Sequence, residues 1–200
     1  MGPQEAAGAP KGLLIILSAP SGCGKTTIAD RLLKRHREWV RSVSVTTRPA
    51  RAGEKEAKDY YFVTPRKFQE MRSQRELLES AGVFNFFYGT PKSFVLEKLR
   101  AGKNIILAID VQGARQIKKA LDKNAAIVTF FILPPSVRVL RERLEGRNTE
   151  SPAEIQRRIE LAQEEIKEAG FYDHTVMNQN LEQTVLKIEE HIEKFLKERS

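Results

Sequence analysis

The chain has 200 residues, of which 40% are hydrophobic and 30% charged, with a formal net charge of +8. This composition fits one globular domain with a sizeable core, and no apolar run approaches the ~20 residues of a membrane-spanning helix. A lone cysteine, Cys23, excludes an internal disulfide and suits a reducing, cytoplasmic setting, and the scattered His36, His174 and His191 offer no metal-ligand spacing. The basic excess points to anionic partners. Without aromatic residues interleaved among the lysines and arginines, small phosphorylated molecules rank above nucleic acid.

Residues 1–10, "MGPQEAAGAP", have the pattern of neither a signal peptide nor a transit peptide and are expected to form a disordered tail. "GLLIILS" follows, a run of the kind that forms a strand buried on both faces. A glycine-rich turn leads into "TTIADRLLKRH", where Ile28, Leu32 and Leu33 recur at helical spacing. From Ser44 to Lys92 the pattern changes to short alternating strands ("SVSVTT", "DYYFV", "VFNFFYG") with one helix, a small β-rich insertion. Thr64-Pro65 and Thr90-Pro91 each place a capping hydroxyl before a proline suited to the first helical turn. "NIILAID", "AIVTFFIL" and the shorter "HTVMN" are further strand candidates. Between Pro135 and Gly170 the chain is helical and rich in arginine, and "SPAE" at Ser151–Glu154 is a capping box. Such a charge run serves equally well as a solvated helix face. The last helix carries Leu181, Val185, Ile188, Ile192 and Phe195 on one stripe for core packing. Strands alternating with capped helices predict an α/β fold with a mostly parallel sheet.

The turn after the first strand reads "LSAPSGCGKTT" and approximates G-x-x-x-x-G-K-[ST], with Ala19 in place of the first glycine. Strand, glycine-rich turn and helix are the setting in which this pattern binds nucleotide phosphates through backbone N–H groups and a helix N-terminus. Lys25 would face the β- and γ-phosphates, Thr26 a magnesium ion, and Gly22 and Gly24 would let the backbone curl closely. Ala19 sits at the loop entrance, where a small side chain is tolerated if φ stays negative. Cys23 reads as a small loop residue, although Lys25 and the helix N-terminus favour its thiolate. Further on, Arg48 and Arg51 with Tyr60 suit a dianionic phosphate monoester, since arginine binds such oxygens bidentately.

Taken together, "PSGCGKTT", "SVTTRPARAGE", "DYYF", "LLESAGVFNFFYGT" and "IDVQGA" resemble the guanylate kinase family over nearly the whole chain. The resemblance implies a P-loop core (11–43, 93–135 and 170–200), a GMP-binding lobe (44–92) and an arginine-bearing lid (136–169). It implies Mg-dependent transfer of the ATP γ-phosphoryl group to GMP, with ATP and GMP as partners, no nucleic acid or membrane, and a monomer or small homo-oligomer. It assigns the ATP phosphates to Ala19, Pro20, Ser21, Gly22, Cys23, Gly24, Lys25, Thr26 and Thr27, and the adenine end to Asn178. Arg48, Arg51, Tyr60 and Tyr88 would hold the GMP phosphate, and Ser44, Glu79 and Thr90 would read guanine. Arg143, Arg147 and Arg158 would act from the lid beside Lys25, and Asp110 would organise magnesium with Thr26. Ala108 departs from the family's usual acidic residue two places before that aspartate. A non-catalytic, phosphopeptide-binding module of the same fold is the alternative, and the intact Gly24-Lys25-Thr26 opposes it.

Overall fold

A computed structural model describes residues 12–83, 85–121, 125–146 and 151–199. The expected tail over 1–10 and the expected lid residue Arg147 lie outside the described residues.

All six residues of β1 (Leu13–Ser18) are buried, because this strand has neighbours on both edges and helices on both faces. It lies at the centre of a five-stranded sheet ordered β2 (Val40–Arg41), β7 (Ile105–Ala108), β1, β8 (Ala126–Leu133), β9 (His174–Met177). Every pairing in this sheet is parallel. Side chains alternate across the strand. Leu13, Ile15 and Leu17 pack with Ile28 and Leu32 of α1 (Lys25–Arg35) and with Val185, Ile188 and Ile192 of α7 (Leu181–Lys197). Leu14 and Ile16 face the other way, onto Val95 and Leu99 of α3 (Lys92–Arg100) and Ile117 of α4 (Val111–Leu121). Each such fully buried aliphatic side chain stabilises the fold by about 1.5–3 kcal/mol. The predicted stripe on α7 is therefore core.

A second sheet of four strands, ordered β4 (Tyr61–Phe62), β3 (Val45–Thr46), β6 (Phe86–Pro91), β5 (Leu77–Val83), accompanies α2 (Pro65–Ser73) in the β-rich insertion. The charged segment forms α5 (Val137–Glu145) and α6 (Pro152–Lys167), followed by a 3-10 turn at Glu168–Phe171. The capping box is present: Ser151 accepts from the Glu154 amide, and Glu154 accepts from the Ser151 amide at 2.8 Å.

Two expectations need correction. Thr64 caps α2 as predicted, accepting from the Lys67 amide, but Thr90 caps nothing. It belongs to β6, Pro91 holds the N-cap position of α3, and the Thr90 hydroxyl donates instead to Glu79. The segment preceding "VFNFFYG", to which the sequence pattern assigns no strand, is strand β5, paired antiparallel with β6 from Leu77 opposite Pro91 to Val83 opposite Phe86.

Parallel pairing places the carboxyl ends of the strands along one edge of the sheet. Leu17 lies opposite Ala108, so the loops after β1 and β7 are neighbours at that edge, where open α/β sheets bind ligands.

Candidate active site

The loop after β1 turns through Gly22 (φ 91°) and Gly24 (φ 85°), both in the left-handed region where a Cβ is strained. Ala19 is not among the positive-φ residues; it is buried and packs in the core, so its methyl group is accommodated. Helix α1 begins at Lys25 with no side-chain cap and no acidic residue in its first turn. Its first amides are thus open to an anion. Asn178 lies behind the loop, 6% exposed, donating from Nδ2 to the Cys23 carbonyl at 2.8 Å. Arg143 donates to the Asn178 carbonyl at 3.0 Å. Neither Asn178 nor Arg143 lines the cavity; both hold the loop from outside. The Cys23 side chain is fully buried in the core, which fits its reading as a small loop residue and removes the thiol from solvent reagents.

The loop forms one wall of a cavity of about 510 Å³ that runs on between the small lobe and α6. From the loop and α1 come Ala19, Pro20, Ser21, Gly22, Gly24, Lys25, Thr26 and Thr27; from the lobe come Ser44, Arg48, Arg51, Tyr60, Glu79 and Tyr88. Ala108 and Asp110 enter from the end of β7, and Arg157, Arg158 and Glu165 from α6. Of the lid arginines, Arg158 bridges to the loop, donating to the Ser21 hydroxyl at 2.8 Å.

Lys25 donates to the Ile109 carbonyl at 3.0 Å. Burial holds its pKa below the ordinary lysine value, opposed by the nearby Asp110, Glu165, Cys23 and Glu79. Asp110 accepts the Gly113 amide through Oδ1 at 2.8 Å, which fixes the carboxylate at the start of α4. The donor set fits a magnesium ion that arrives with its nucleotide. Mg²⁺ keeps several waters and takes one or two protein oxygens plus phosphate, and Thr26 and Asp110 offer a hydroxyl and a carboxylate at the phosphate end. Among the described residues there is no cluster of three or more histidine, cysteine or acidic side chains placed to hold a metal by itself.

In the lobe, Arg48 is 7% exposed and its guanidinium donates to Glu54 at 2.8 Å and to the Pro49 carbonyl at 2.6 Å, 5.4 Å from the Tyr60 ring centroid. Burial opposes its charge, but Glu54 and Tyr88 more than offset that and raise its pKa. Glu54 also accepts the Arg51 amide at 2.8 Å, so one carboxylate organises both arginines. Burial opposes the charge of Glu54 as well, yet Arg48 and Arg51 hold its pKa below the usual range.

Glu79 is 5% exposed and accepts from the Thr90 hydroxyl at 2.7 Å. Burial pushes its pKa up to about 7, with Asp110 adding to the rise and Thr90 and Lys25 opposing it. Its second oxygen faces Gly113, where an added Cβ would sit 2.7 Å away. A Gly113→Ala variant should gain helix propensity in α4 yet displace this carboxylate. We expect thermal stability to hold while kcat/KM for the substrate bound by Glu79 falls on the order of 10–100-fold, measured by steady-state kinetics.

A family model described as guanylate kinase matches residues 11–195. The chain belongs to the guanylate kinase family. A guanylate kinase of Wolbachia sp. subsp. Brugia malayi (strain TRS) is 44% identical over 190 residues, covering 95% of this chain and 96% of the relative. One from Clostridioides difficile (strain 630) is 43% identical over 179 residues, covering 90% and 86%. A crystal structure of guanylate kinase from Anaplasma phagocytophilum shares 36% identity and a TM-score of 0.76, over 92% of this chain and 85% of that one.

Sequence reasoning passed over Glu54, Gly113 and Glu165. Glu54 ends the arginine-bearing "RPARAGE" stretch, and Glu165 lies on one face of α6 with Arg158 and Leu161. Those two spacings were the available signals; nothing in the sequence placed Gly113 against Glu79.

Proposed function

We propose that this member of the guanylate kinase family transfers the γ-phosphoryl group of ATP to GMP, giving ADP and GDP, in purine nucleotide metabolism. The observation that carries the reading is the buried Glu79 carboxylate, held by Thr90 and facing a cavity that also contains the phosphate loop. Guanine presents N1–H and a 2-amino group side by side, and one carboxylate accepts both. Adenine presents an acceptor at N1 and no 2-amino group.

The acceptor is itself a phosphate oxyanion, so no strong general base is required. Catalysis is a matter of in-line positioning and neutralisation of spreading charge. Arg48 and Arg51, oriented by Glu54, would hold the GMP phosphate with Tyr60 and Tyr88. The loop amides and Lys25 would seat the ATP phosphates, and Arg158 would complete the positive wall from α6, with Arg143 steadying the loop through Asn178. Thr26 and Asp110 would hold magnesium, which supplies charge neutralisation at the phosphate oxygens. No helix among the described residues is long and apolar enough to cross a membrane, and ATP and GMP would be taken as free nucleotides.

The raised pKa of Glu79 sets a pH dependence. Guanine's two donors require the ionised carboxylate, and below about pH 7 the empty site carries a proton that binding must expel. KM for GMP is therefore expected to rise toward tenfold per pH unit below 7. Glu79→Gln, with no proton to lose, should show a flatter profile. The second ionisation of the GMP phosphate, near pH 6, enters both profiles alike.

The reading is tested by supplying ATP labelled at the γ-phosphate with GMP and magnesium. Label should appear in GDP; label released only as inorganic phosphate would refute phosphoryl transfer.

A further inference from the structure

Two groups beside the phosphate centre have no part in the reading above. Glu165 lies on the α6 face that also carries Arg158 and Leu161, and it lines both the main cavity and an adjoining one of about 540 Å³. Among the described residues no hydrogen bond or ion pair is formed by its carboxylate, although Lys25 and Asp110 lie close enough to shift its ionisation. Tyr172 follows the 3-10 turn at the foot of α6, its ring 5.0 Å from that of Phe131 and 5.4 Å from that of Phe171. The residue is 7% exposed and its hydroxyl is buried, with the Ser18 hydroxyl near enough to influence its ionisation. Ser18 itself makes only a 3.5 Å contact with the Asp110 carbonyl.

Asp110 and Glu165 thus share the walls of both cavities, while Ser18 and the Tyr172 hydroxyl lie buried behind them. A carboxylate in a cavity wall with no protein partner is left to bond water, and Glu165 is such a group. Charge argues the same way. Asp110, Glu165 and Glu79 all face Lys25, and a polyphosphate adds further negative charge. This part of the site needs a cation that arrives hydrated. Arg115 is nearby, but it pairs with Glu168 and lies against Phe171, and Ala108 adds no polar group to the wall.

We propose that Glu165 is a positioning residue for the magnesium ion of the donor nucleotide, its carboxylate accepting hydrogen bonds from the ion's water shell across the cavity wall it shares with Asp110. The proposal rests on the phosphotransfer reading. It gives α6 two tasks on one face: Arg158 reaches the phosphate loop, and Glu165, two turns on, steadies the metal's waters. Partners of this outer kind typically change metal affinity by about 10–100-fold.

The test is the affinity of the whole protein for ADP, measured by calorimetry with and without magnesium. For Glu165→Gln, metal-free affinity should match wild type, and the gain conferred by magnesium should shrink by about tenfold or more. In turnover, KM for magnesium should rise by more than kcat falls. A magnesium gain within twofold of wild type in Glu165→Gln would overturn the proposal. So would equal weakening with and without metal, which would place Glu165 in support of Lys25 and the loop. Failure of the phosphotransfer reading shows separately, as wild-type protein that makes no ADP in response to GMP.

Discussion

Replacing Lys25 with methionine is expected to lower turnover at least about 10²–10³-fold, the usual cost of losing one preorganised charge or donor at a transition state. The ammonium group sits at the start of α1, beneath the loop amides, and its hydrogen bond to the Ile109 carbonyl is easily exchanged for a phosphate oxygen. Its position is costly, since burial disfavours the charge, and it is maintained by Asp110, Glu165 and Glu79 around it. Methionine keeps the stem's volume, and both Glu79 and Glu165, whose pKa values are pushed up to about 7 mainly by burial, can accept protons when the lysine charge is gone. The variant should therefore fold, with a far-ultraviolet circular dichroism spectrum like that of the wild type. Arginine should not restore activity, because a planar fork does not replace a compact ammonium in a closed loop. Turnover within tenfold of wild type would remove Lys25 from the chemistry.

Replacing Glu79 with glutamine is expected to lower kcat/KM for GMP by about 10³–10⁴-fold while leaving the low activity with AMP unchanged. The isosteric amide keeps the hydrogen bond from Thr90 through its oxygen but turns its NH₂ toward a guanine donor. A buried donor facing a donor leaves both unpaired, which is the strongest discrimination a small site achieves. Thr90→Val should show a weaker version of the same defect, since it frees a carboxylate that is otherwise pinned at 2.7 Å. The comparison is made by measuring ADP formation with each monophosphate in a coupled assay. An equal fall for GMP and AMP would mean that Glu79 supports the lobe and does not read the base.

The parts of the fold that were legible in the sequence are those in which one physical demand dominates. Strands β1, β7 and β8 are buried nearly along their whole length, and burial on both faces leaves an unbroken apolar run that needs no context to read. The caps at Thr64 and Ser151 are local, satisfied within one turn. Strand β5 was illegible for the opposite reason. Its buried positions are Glu79 and Ala81, because that face looks into a cavity and not into a core, and its leucines are only half buried. The apolar alternation a strand should show is therefore absent. Thr90 misled in the same way: its hydroxyl serves a side chain on the neighbouring strand, where a capping role looked equally good locally.

The site divides along the same line. Lys25, Thr26, Arg48 and Arg51 sit in compact motifs whose spacing carries their chemistry. Glu54 could have been found, since it follows Arg51 by three residues and accepts that residue's amide. Glu165 and Gly113 matter only because the topology brings α6, the end of β1 and the start of α4 to one edge of the sheet, and no local pattern announces such a meeting. Asn178 has a structural task that resemblance does not announce. The side chain associated with the adenine end braces the phosphate loop from behind, through the Cys23 carbonyl.

The most direct measurement is the rate of ADP formation from ATP and magnesium with GMP, AMP, CMP and UMP supplied in turn. A buried carboxylate that accepts from N1–H and the 2-amino group together predicts that GMP stimulates the rate at least about 10³-fold more than any of the others. Equal stimulation by all four monophosphates would contradict the guanine assignment.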